Sequence, residues 1–520
     1  MLQNVLHMLN LDHIDGPSTG LALVVISFIY WLQTYARYRR GYRADTLFGE
    51  QHGCQPMESR YPCKWPLGLD VLSAQFRAIA EKRLLAFQQP FLDKLGPNLE
   101  LKILGSVGYT TFDPENVEAI LSTRFEDYYL GSRRGGLFPF IGEGIFTQDG
   151  GPWKHSRELL RRPFLKTHYQ DLKGFTKHID RLIAKLHSFS PGAVIDLQPL
   201  FFQLTLATTA ALIFGQPTEN SENHEKADFA SSFDCASLIS SWRTRLQDLH
   251  WVYNPARYRK ACKIVKDYAD GFVRHALQKR GDKSNEEVSG HYPFVEDLAT
   301  ELEDSQLIRD QLVNILLAGR DTTACLISWA FFLLMRHPEV LSRLQCEMKS
   351  VLGDAAEISR LHIQKMDFLK CILNETLRLY PPIPINVRFA KNTTWLPRGG
   401  GPDGRSPVLV RRGMGVGFVP YYMHRRKDLY GADAMEFRPE RWESTDLADI
   451  GYGYIPFHGG PRLCLGKDFA LMEASSAIIR ILQEFPDIRL PPGSPVVPIG
   501  QEKQDLTIFL KSAGGCKVIL

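Results

Sequence analysis

Apolar and polar residues along most of the chain recur with the three-to-four-residue period of packed helices. The longest such segment runs from about Ser305 to His337, and Pro338 ends it. It predicts a helix of roughly 45 Å, long enough to cross a whole domain. The stretches 99–104 (LELKIL) and 416–422 (VGFVPYY) predict strands. The pattern therefore predicts a mainly α fold with small β-sheets, of the α+β class.

The middle of the long helix has an unusual composition. It reads LLAGRDTTACLISW, with Gly319 and two consecutive threonines, Thr322 and Thr323, where a helix should be most regular. Glycine and threonine are poor helix formers. Two explanations stay open: a local distortion that has a use, or threonine hydroxyls that bond back to helix carbonyls.

The amino-terminal segment 1–43 is predicted to be a single membrane-anchor helix with a basic flank. Its apolar run Leu21–Leu32 extends weakly to Tyr35, and four arginines follow it, at positions 37, 39, 40 and 43. About 15 residues cover only about 22 Å of a hydrocarbon core of about 30 Å. Positive charge after the run, rather than before it, favours an uncleaved anchor with the remaining chain in the cytosol. The alternative is an amphipathic segment lying on the membrane.

The rest of the chain is predicted to form a connector and one domain. Residues 44–68 contain three prolines and suit a semi-rigid connector. Residues 69–520 show no internal repeat and form the predicted catalytic domain. Three polar stretches, 215–228, 278–290 and 397–407, are predicted surface loops.

Composition excludes several classes of protein. The 520 residues are 44% apolar and 23% charged, which is typical of a globular protein and not of a disordered or polytopic membrane protein. A net charge of +4 gives no indication of nucleic-acid binding. The nine cysteines include no CxxC pair, which fits a reducing compartment and disfavours a closed zinc site.

One cysteine has a distinctive setting, in the loop 457–466 (FHGGPRLCLG). An amphipathic helix pattern follows, so Cys464 lies just before a helix amino terminus, where amides and the helix dipole favour a thiolate. Such a thiolate suits a metal whose other ligands come from an organic cofactor, and haem iron meets that description. The loop glycines, Gly459, Gly460 and Gly466, let the backbone approach a macrocycle, and Arg462 suits a propionate.

This loop resembles the haem-binding signature of the cytochrome P-450 family, FxxGxRxCxG, at Phe457, Gly460, Arg462, Cys464 and Gly466. Four further stretches resemble family motifs: WKHSR (153–157), AGRDTT (318–323), ETLR (375–378) and FRPERW (437–442). All five occur in the family's order. The resemblance covers the chain after residue 50 and implies the cytochrome P-450 fold.

The resemblance implies roles for individual residues. Cys464 would be the axial ligand of haem b iron. Asp321 and Thr322 would be the acid and the alcohol that steer protons to dioxygen. Four residues would hold the propionates, and Phe457 would pack on the sulfur side of the haem; the four are Arg462, Arg157, Trp153 and Arg388. For Arg388 and Trp153 the alternatives are an ordinary surface arginine and a core tryptophan. Glu375, Arg378 and Arg438 would form a structural ion-pair cluster.

Two positions depart from the family pattern. His458 stands where close relatives usually carry a small or amide side chain, and we expect a solvated histidine there. Ala318 stands where many animal fatty-acid hydroxylases carry a glutamate that becomes esterified to the haem. A covalent link to the haem is therefore not expected.

Three stretches (54–72, 125–157 and the Cys464 loop) resemble the fungal microsomal branch that hydroxylates alkanes and long-chain fatty acids. Similar sequences also modify alkyl groups of polyketides and other fungal secondary metabolites, and that alternative stays open. The resemblance places substrate contacts at seven apolar positions, which suit an aliphatic chain: Leu137, Phe138, Phe140, Ile141, Leu317, Ile385 and Val387. Core packing is the alternative for the phenylalanines.

Electrons must come from a partner, because the chain shows no flavin or dinucleotide fingerprint. The resemblance implies an NADPH-cytochrome P-450 reductase, with cytochrome b5 as an optional second donor, on the endoplasmic reticulum membrane. A basic face suits an acidic flavoprotein, or is merely solvated; it comprises Lys154, Arg161, Arg162 and Lys467. The Asp321–Thr322 pair favours a monooxygenase over a haem-thiolate isomerase or dehydratase and over a non-enzymatic haem carrier.

Overall fold

The computed structural model describes residues 41–103, 105–165, 172–215, 223–281, 294–353 and 357–520. The predicted anchor helix, with its apolar run Leu21–Leu32, lies outside the described residues. Residues 216–222 and 282–290 of the predicted loops 215–228 and 278–290 lie outside them as well, whereas 223–228 and 278–281 are helical, so the loop prediction is wrong there. The statements that follow concern the described residues only.

Helices dominate the described chain, as the sequence pattern predicts. Residues 41–51 are helical. The helices that follow are α1 Leu69–Ala80, α2 Leu84–Leu95, α3 Pro114–Glu118, α4 Arg133–Ile141, α5 Gly150–Leu165, α6 Lys173–His187, α7 Leu197–Phe214, α8 Asn223–Arg245, α9 Ala256–Gly281, α10 Phe294–Glu301, α11 Ser305–Leu334, α12 Pro338–Leu352, α13 Arg360–Lys365, α14 Asp367–Leu379, α15 Pro420–Met423, α16 Lys427–Tyr430 and α17 Lys467–Glu484.

The strands form one mixed sheet and three two-stranded pairs. The strands are β1 Asn98–Ile103, β2 Ser106–Thr111, β3 Tyr128–Tyr129, β4 Ile195–Asp196, β5 Asn386–Ala390, β6 Thr394–Gly400, β7 Ser406–Val410, β8 Gly415–Phe418, β9 Gln504–Leu506, β10 Leu510–Ser512 and β11 Lys517–Val518. The five-stranded sheet has the order β1-β2-β8-β5-β3, with β2 and β8 parallel and the other neighbours antiparallel. The predicted class, mainly α with small sheets, is confirmed.

Helix α11 is the predicted long helix, and it forms the centre of the core. Asp304 caps it by accepting from the backbone N–H groups of Gln306 and Leu307 at 2.9 and 3.2 Å. It packs most extensively on α7 and also contacts α9, α14 and α17. A stacked pair of rings, Phe201 and Phe331, joins α7 to α11 with centroids 5.4 Å apart. The core therefore surrounds α11 on several sides.

Two local predictions differ from the structure. The strand predicted over 416–422 ends at Phe418, because Pro420 has no backbone N–H for the sheet and instead begins α15. The predicted loop 397–407 is mostly a hairpin, with β6 reaching Gly400 and β7 beginning at Ser406. The glycine-rich composition there serves the turn and a bulge in the hairpin.

The predicted connector 44–68 packs on the catalytic body along much of its length. Asp45 accepts a hydrogen bond from Thr393 at 2.6 Å, and the His52 ring lies 6.0 Å from that of Trp395. Met57 is buried and pairs with Gly401 through a bridge. This stretch is therefore held against the β6–β7 hairpin, and its role as a connector between an anchor and the catalytic domain stays a prediction.

Two described helices are long and apolar enough to cross a membrane, namely α7 and α11. For α11, 83% of the most apolar window is buried inside the protein. Core helices meet the same criterion of length and hydropathy, so neither helix is interpreted as a membrane span.

Candidate functional site

The loop before α17 places Cys464 by backbone hydrogen bonds. The Cys464 N–H donates to the Phe457 carbonyl at 3.0 Å, and the Leu463 N–H donates to the Gly460 carbonyl at 3.0 Å. Gly460 has a φ of +60°, and a Cβ there would lie 1.9 Å from the Leu121 carbonyl oxygen. Only glycine fits this position, so one part of the family signature has a steric reason.

The Cys464 side chain is accessible, although protein surrounds it closely. Burial raises the pKa of the Cys464 thiol, against the Gly466 amide and the positive charges of Arg157 and Lys467. The Gly466 amide at the helix terminus favours the thiolate as expected, but desolvation is the larger effect. A bound metal cation supplies what is missing, since coordination deprotonates a thiol.

Three arginines converge beside this loop, one buried (Arg388) and two half-buried (Arg133 and Arg462), and we call them the arginine pocket. Burial lowers the pKa of Arg133 and of Arg462 to about 10, and it lowers that of Arg388 well below its usual value. Their mutual repulsion acts in the same direction. The pairing carboxylate is Asp149, which lies 2.8 Å from Arg462. Three positive charges thus face one negative charge, and neutrality would need two further negative charges.

Helix α5 supplies Trp153 and Arg157 to the same region. Trp153 is buried, and the Arg462 guanidinium lies 4.4 Å from its ring centre. Arg157 donates from Nη2 to the Leu463 carbonyl, one residue before Cys464, at 2.8 Å. Arg462 also donates to the Ile145 and Gln148 carbonyls, each at 3.0 Å. The WxxxR motif and the cysteine loop are thus in direct contact.

His458 is not the solvated side chain that we expected. Its Nε2 lies 3.1 Å from Arg388 Nη2, and its Nδ1 lies 3.2 Å from the Gly459 carbonyl. Burial and the neighbouring charge of Arg388 lower the pKa of His458 well below its usual range. The expectation is wrong because β5 brings Arg388 and its contacts over the loop.

The middle of α11 carries the residues predicted for proton transfer. Between Asp310 and Leu334 every residue of this helix is buried except Ala318, Gly319 and Thr322. The Thr322 hydroxyl donates to the Ala318 carbonyl at 2.6 Å, which is the back-bonding alternative. Gly319 has a packing reason, since a Cβ there would lie 2.8 Å from the Thr209 side chain on α7. Accessible surface at the middle of a buried helix marks an internal space beside Thr322.

Asp321 is buried next to this space. Burial raises the pKa of Asp321 to about 6, against the attraction of Arg320, whose guanidinium lies 3.3 Å away. Its Oδ1 atom accepts no hydrogen bond within the described residues. Arg320 is held in turn by Asp234 of α8 at 2.6 Å. A carboxyl group whose pKa lies this close to neutrality is suited to proton transfer.

The ion-pair cluster below the site forms around Glu375. Arg378 binds it through two hydrogen bonds of 2.8 Å, and both side chains are fully buried. Arg441 donates from Nε to the same carboxylate at 2.9 Å. The choice of Arg438 is therefore wrong for the side chain, which pairs with Asp433 at 3.0 Å. Arg438 contributes only its backbone N–H to Glu375, at 3.0 Å.

The predicted substrate residues divide by exposure. Leu137, Phe140, Ile141 and Leu317 are buried, and Phe140 packs edge-on against Phe233 with centroids 5.1 Å apart. Phe138 is exposed, with Arg134 over its ring at 5.0 Å. Ile385 and Val387 are half-buried beside Arg388. Contact with substrate remains a prediction for all seven, and core packing describes Phe140 in this structure.

Sequence reasoning missed Arg133, Asp149 and the role of Arg441. Arg133 is preceded by a serine and followed by a second arginine, and only Arg133 turns inward, where it donates to Asn386 at 3.1 Å. Arg134 instead pairs with Glu143. An acid directly before the WxxxR helix was the available signal for Asp149. Nothing in the local sequence distinguishes Arg133 from Arg134 or Arg441 from Arg438.

The residues present fit haem b. One accessible thiol lies at the loop, and the arginine pocket lacks two negative charges, which matches the two propionates of the cofactor. No group of three or more His, Cys, Asp or Glu side chains within the described chain is arranged to hold a metal ion. The remaining ligands of a metal at Cys464 therefore come from elsewhere, as a porphyrin supplies them.

Comparison with known proteins agrees with this site. The family model "Cytochrome P450" matches residues 64–514. A "Cytochrome P450" of Arthroderma benhamiae is 42% identical over 96% of this chain and 98% of its own length. "Cytochrome P450 52A13" of Debaryomyces hansenii is 38% identical over 87% of this chain and 89% of its own length. "Cytochrome P450 monooxygenase g430" of a Fusarium species is 38% identical over 81% of this chain and 78% of its own length. With its thiol loop, its arginine pocket and these relatives, the chain belongs to the cytochrome P-450 family of haem-thiolate monooxygenases.

Proposed function

We propose that this protein hydroxylates a long-chain fatty acid or an alkane. The observation that carries the proposal is the resemblance of the stretches 54–72 and 125–157 to fungal hydroxylases of such chains. The relatives from fungi, including a 52A protein, support the same branch. Ile385 and Val387, on either side of Asn386, offer partly accessible apolar side chains to an aliphatic chain.

Different residues of the chain have different roles in the proposed reaction. When bound, the haem supplies an iron centre that activates dioxygen, with Cys464 as its thiolate ligand. The Arg133, Arg388 and Arg462 side chains would hold the propionates, while Trp153 contacts Arg462 and Arg157 binds the loop. Thr322 places its hydroxyl at the internal space, while the Asp321 carboxyl, whose pKa is raised to about 6, takes up a proton below that pH and releases it above.

Electrons come from a reductase, which a monooxygenase of this family needs. We propose an NADPH-cytochrome P-450 reductase docking on the face formed by Lys154, Arg161, Arg162 and Lys467. Three of these cations form exposed ion pairs, with Glu126, Glu158 and Glu301 at 3.1, 3.9 and 2.6 Å. Exposed pairs of this kind are weak, so an acidic partner competes for them at little cost.

Reversal of two of these charges tests the docking face. Lys154→Glu with Arg161→Glu should slow reductase-driven turnover about tenfold, because complementary charge speeds encounter. Hydrogen peroxide replaces both the reductase and NADPH, so peroxide-driven turnover should be unchanged. Equal losses in the two assays would contradict docking on this face.

We further propose that residues 1–43 anchor the protein in the endoplasmic reticulum membrane, with the catalytic domain 69–520 in the cytosol. The apolar run followed by arginines supports this orientation. Removal of residues 1–43 should move the protein from the membrane pellet toward the supernatant. The same truncation should keep haem, since the site lies wholly in residues 133–464.

Mass spectrometry of products tests the substrate directly. The membrane-bound protein is incubated with reductase, NADPH and a mixture of long-chain fatty acids and alkanes. A chain hydroxylated at or near its end supports the proposal. No product, with a normal ferrous carbon monoxide spectrum in the same sample, contradicts it and points to an alkyl group of a secondary metabolite.

A further inference from the structure

His458 holds a backbone conformation that side chains disfavour. Its φ is +68°, a value that it shares with few non-glycine residues of the described chain. Glycine takes this conformation without strain, and glycines occupy the next two positions. A residue other than glycine in this strained backbone conformation indicates that its side chain has a role.

Both contacts of the imidazole require the same tautomer. Arginine has only donors, so Arg388 Nη2 donates to His458 Nε2 at 3.1 Å. A carbonyl only accepts, so His458 Nδ1–H donates to Gly459 at 3.2 Å. The ring is therefore neutral, with its proton on Nδ1. The charges of Arg388, Arg133 and Arg462 also oppose a second proton on the ring.

The contacts of Arg388 leave part of its guanidinium available. Nη1 donates to the Asn386 side chain at 3.0 Å and to the Val387 carbonyl at 2.9 Å. His458 takes one Nη2 proton, and the described residues supply no further acceptor for Nε–H or for the second Nη2–H. Two neighbouring N–H groups of an arginine match the two oxygens of a carboxylate.

We propose that His458 is a positioning residue of the cofactor site, whose neutral imidazole orients Arg388 toward a haem propionate. Phe418 supports the arrangement, since its ring meets the His458 ring edge-on at 5.6 Å and lies 5.8 Å from the Arg388 guanidinium. The proposal rests on haem binding and not on the identity of the substrate. Its failure would therefore leave the proposed hydroxylation untouched.

Two amide substitutions distinguish the contributions of the two ring nitrogens of His458. His458→Gln places its amide near the position of Nε2 and keeps an acceptor for Arg388. His458→Asn reaches only as far as Nδ1 and loses that acceptor, although asparagine tolerates positive φ better than most residues. The measurement is the rate of haem transfer from the full-length protein to excess apomyoglobin, with the reduction potential of the haem as a second readout.

We expect His458→Asn to release haem about tenfold faster than the parent, as loss of one hydrogen bond from a charged donor implies. His458→Gln should stay within about twofold of the parent, because it restores that bond. The reduction potential should shift in the asparagine variant and return toward the parent value in the glutamine variant. Equal release rates for the two variants would overturn the proposal, because a backbone or packing role does not distinguish them.

A double substitution tests whether His458 acts through Arg388. In an Arg388→Gln background, His458→Asn should add no further loss of haem. A full tenfold effect in that background would overturn the proposal. His458→Gly replaces the asparagine variant if that variant does not fold, since glycine takes this φ freely. The His458→Gly variant should release haem about tenfold faster than the parent protein, as expected for His458→Asn. A release rate equal to that of the parent would overturn the proposal.

Discussion

Two groups of arginines in this protein differ in how far protein groups balance their charge. Around Glu375, the Arg378 and Arg441 guanidiniums bind one carboxylate and several backbone carbonyls. Burial would raise the pKa of Glu375, but the hydrogen bonds and charge of Arg378 outweigh burial and lower it. In the arginine pocket, burial instead lowers the pKa of all three arginines.

The difference shows which arginine charges are balanced by protein groups and which would need a bound ligand. The Glu375 cluster satisfies its own donors and so belongs to the folded core. The arginine pocket stays short of negative charge until a dianionic cofactor fills it. A buried charge without a protein partner destabilises the fold, so such charges are expected where a bound ligand neutralises them.

The largest expected effect lies in the Glu375 cluster. Glu375→Gln or Arg441→Ala should lower the free energy of unfolding by about 3–5 kcal/mol, because each leaves a buried charge without its partner. Arg438→Ala is the matched control and should cost less than about 1 kcal/mol, since its side chain makes an exposed pair. Urea unfolding followed by circular dichroism measures all three. An equal cost for Arg438 and Arg441 would contradict the assignment.

Asp321 should show a loss of activity together with a gain in stability. Asp321→Asn removes the acid, so product formed per NADPH should fall about 100-fold. In the parent, the folded carboxyl titrates about two pH units above its unfolded value of 3.8. The fold therefore binds more protons than the unfolded chain between pH 4 and 6, and its stability falls as pH rises through that window.

The pH dependence gives the control for this variant. Asp321→Asn should be more stable than the parent by about 1–3 kcal/mol at pH 8. The advantage should shrink as pH falls below 6, where the parent carboxyl is protonated. Urea unfolding at pH 8 and at pH 5 measures the two differences. A difference that does not depend on pH would show that Asp321 does not titrate as described.

Arg133 should matter for haem and not for the fold. Arg133→Gln removes one positive charge from the arginine pocket and should raise the haem dissociation rate about tenfold. The neighbouring Arg134→Gln is the matched control, because Arg134 forms a half-exposed pair with Glu143. Transfer of haem to apomyoglobin measures both. Similar rates for the two variants would place Arg133 outside the cofactor site.

The smallest effect is expected at a second buried glutamate. Burial raises the pKa of Glu473 to about 8, against a hydrogen bond from Thr208. Its carboxyl is therefore neutral below that pH, so Glu473→Gln should change stability by less than about 1 kcal/mol at pH 6.5. Comparison of Glu473→Gln with Glu375→Gln in the same urea experiment tests whether the charge of the carboxyl or its burial decides the loss in free energy of unfolding. Equal costs would contradict the neutral carboxyl.

Prediction from sequence succeeded where the signal was local. The long helix α11 followed from its period and from Pro338, and strand β1 from its apolar run. Cys464, Arg462 and the Glu375–Arg378 pair followed from motif spacing, and the structure brings the first two beside Trp153 and Arg388. Prediction failed at Arg438 and His458, where neighbours distant in sequence decide which side chain turns inward.

The sequence by itself determined the family, the mainly helical class and the candidate for the thiol ligand, because motif spacing and helical period are properties of the chain alone. Tertiary structure decided the rest. Which of two adjacent arginines enters the pocket, whether His458 is solvated and whether Asp321 titrates near neutrality all depend on burial and on distant charges. Such effects arise only when β5, α4, α11 and the cysteine loop are packed together, since pKa values and hydrogen-bond partners are set by three-dimensional neighbours.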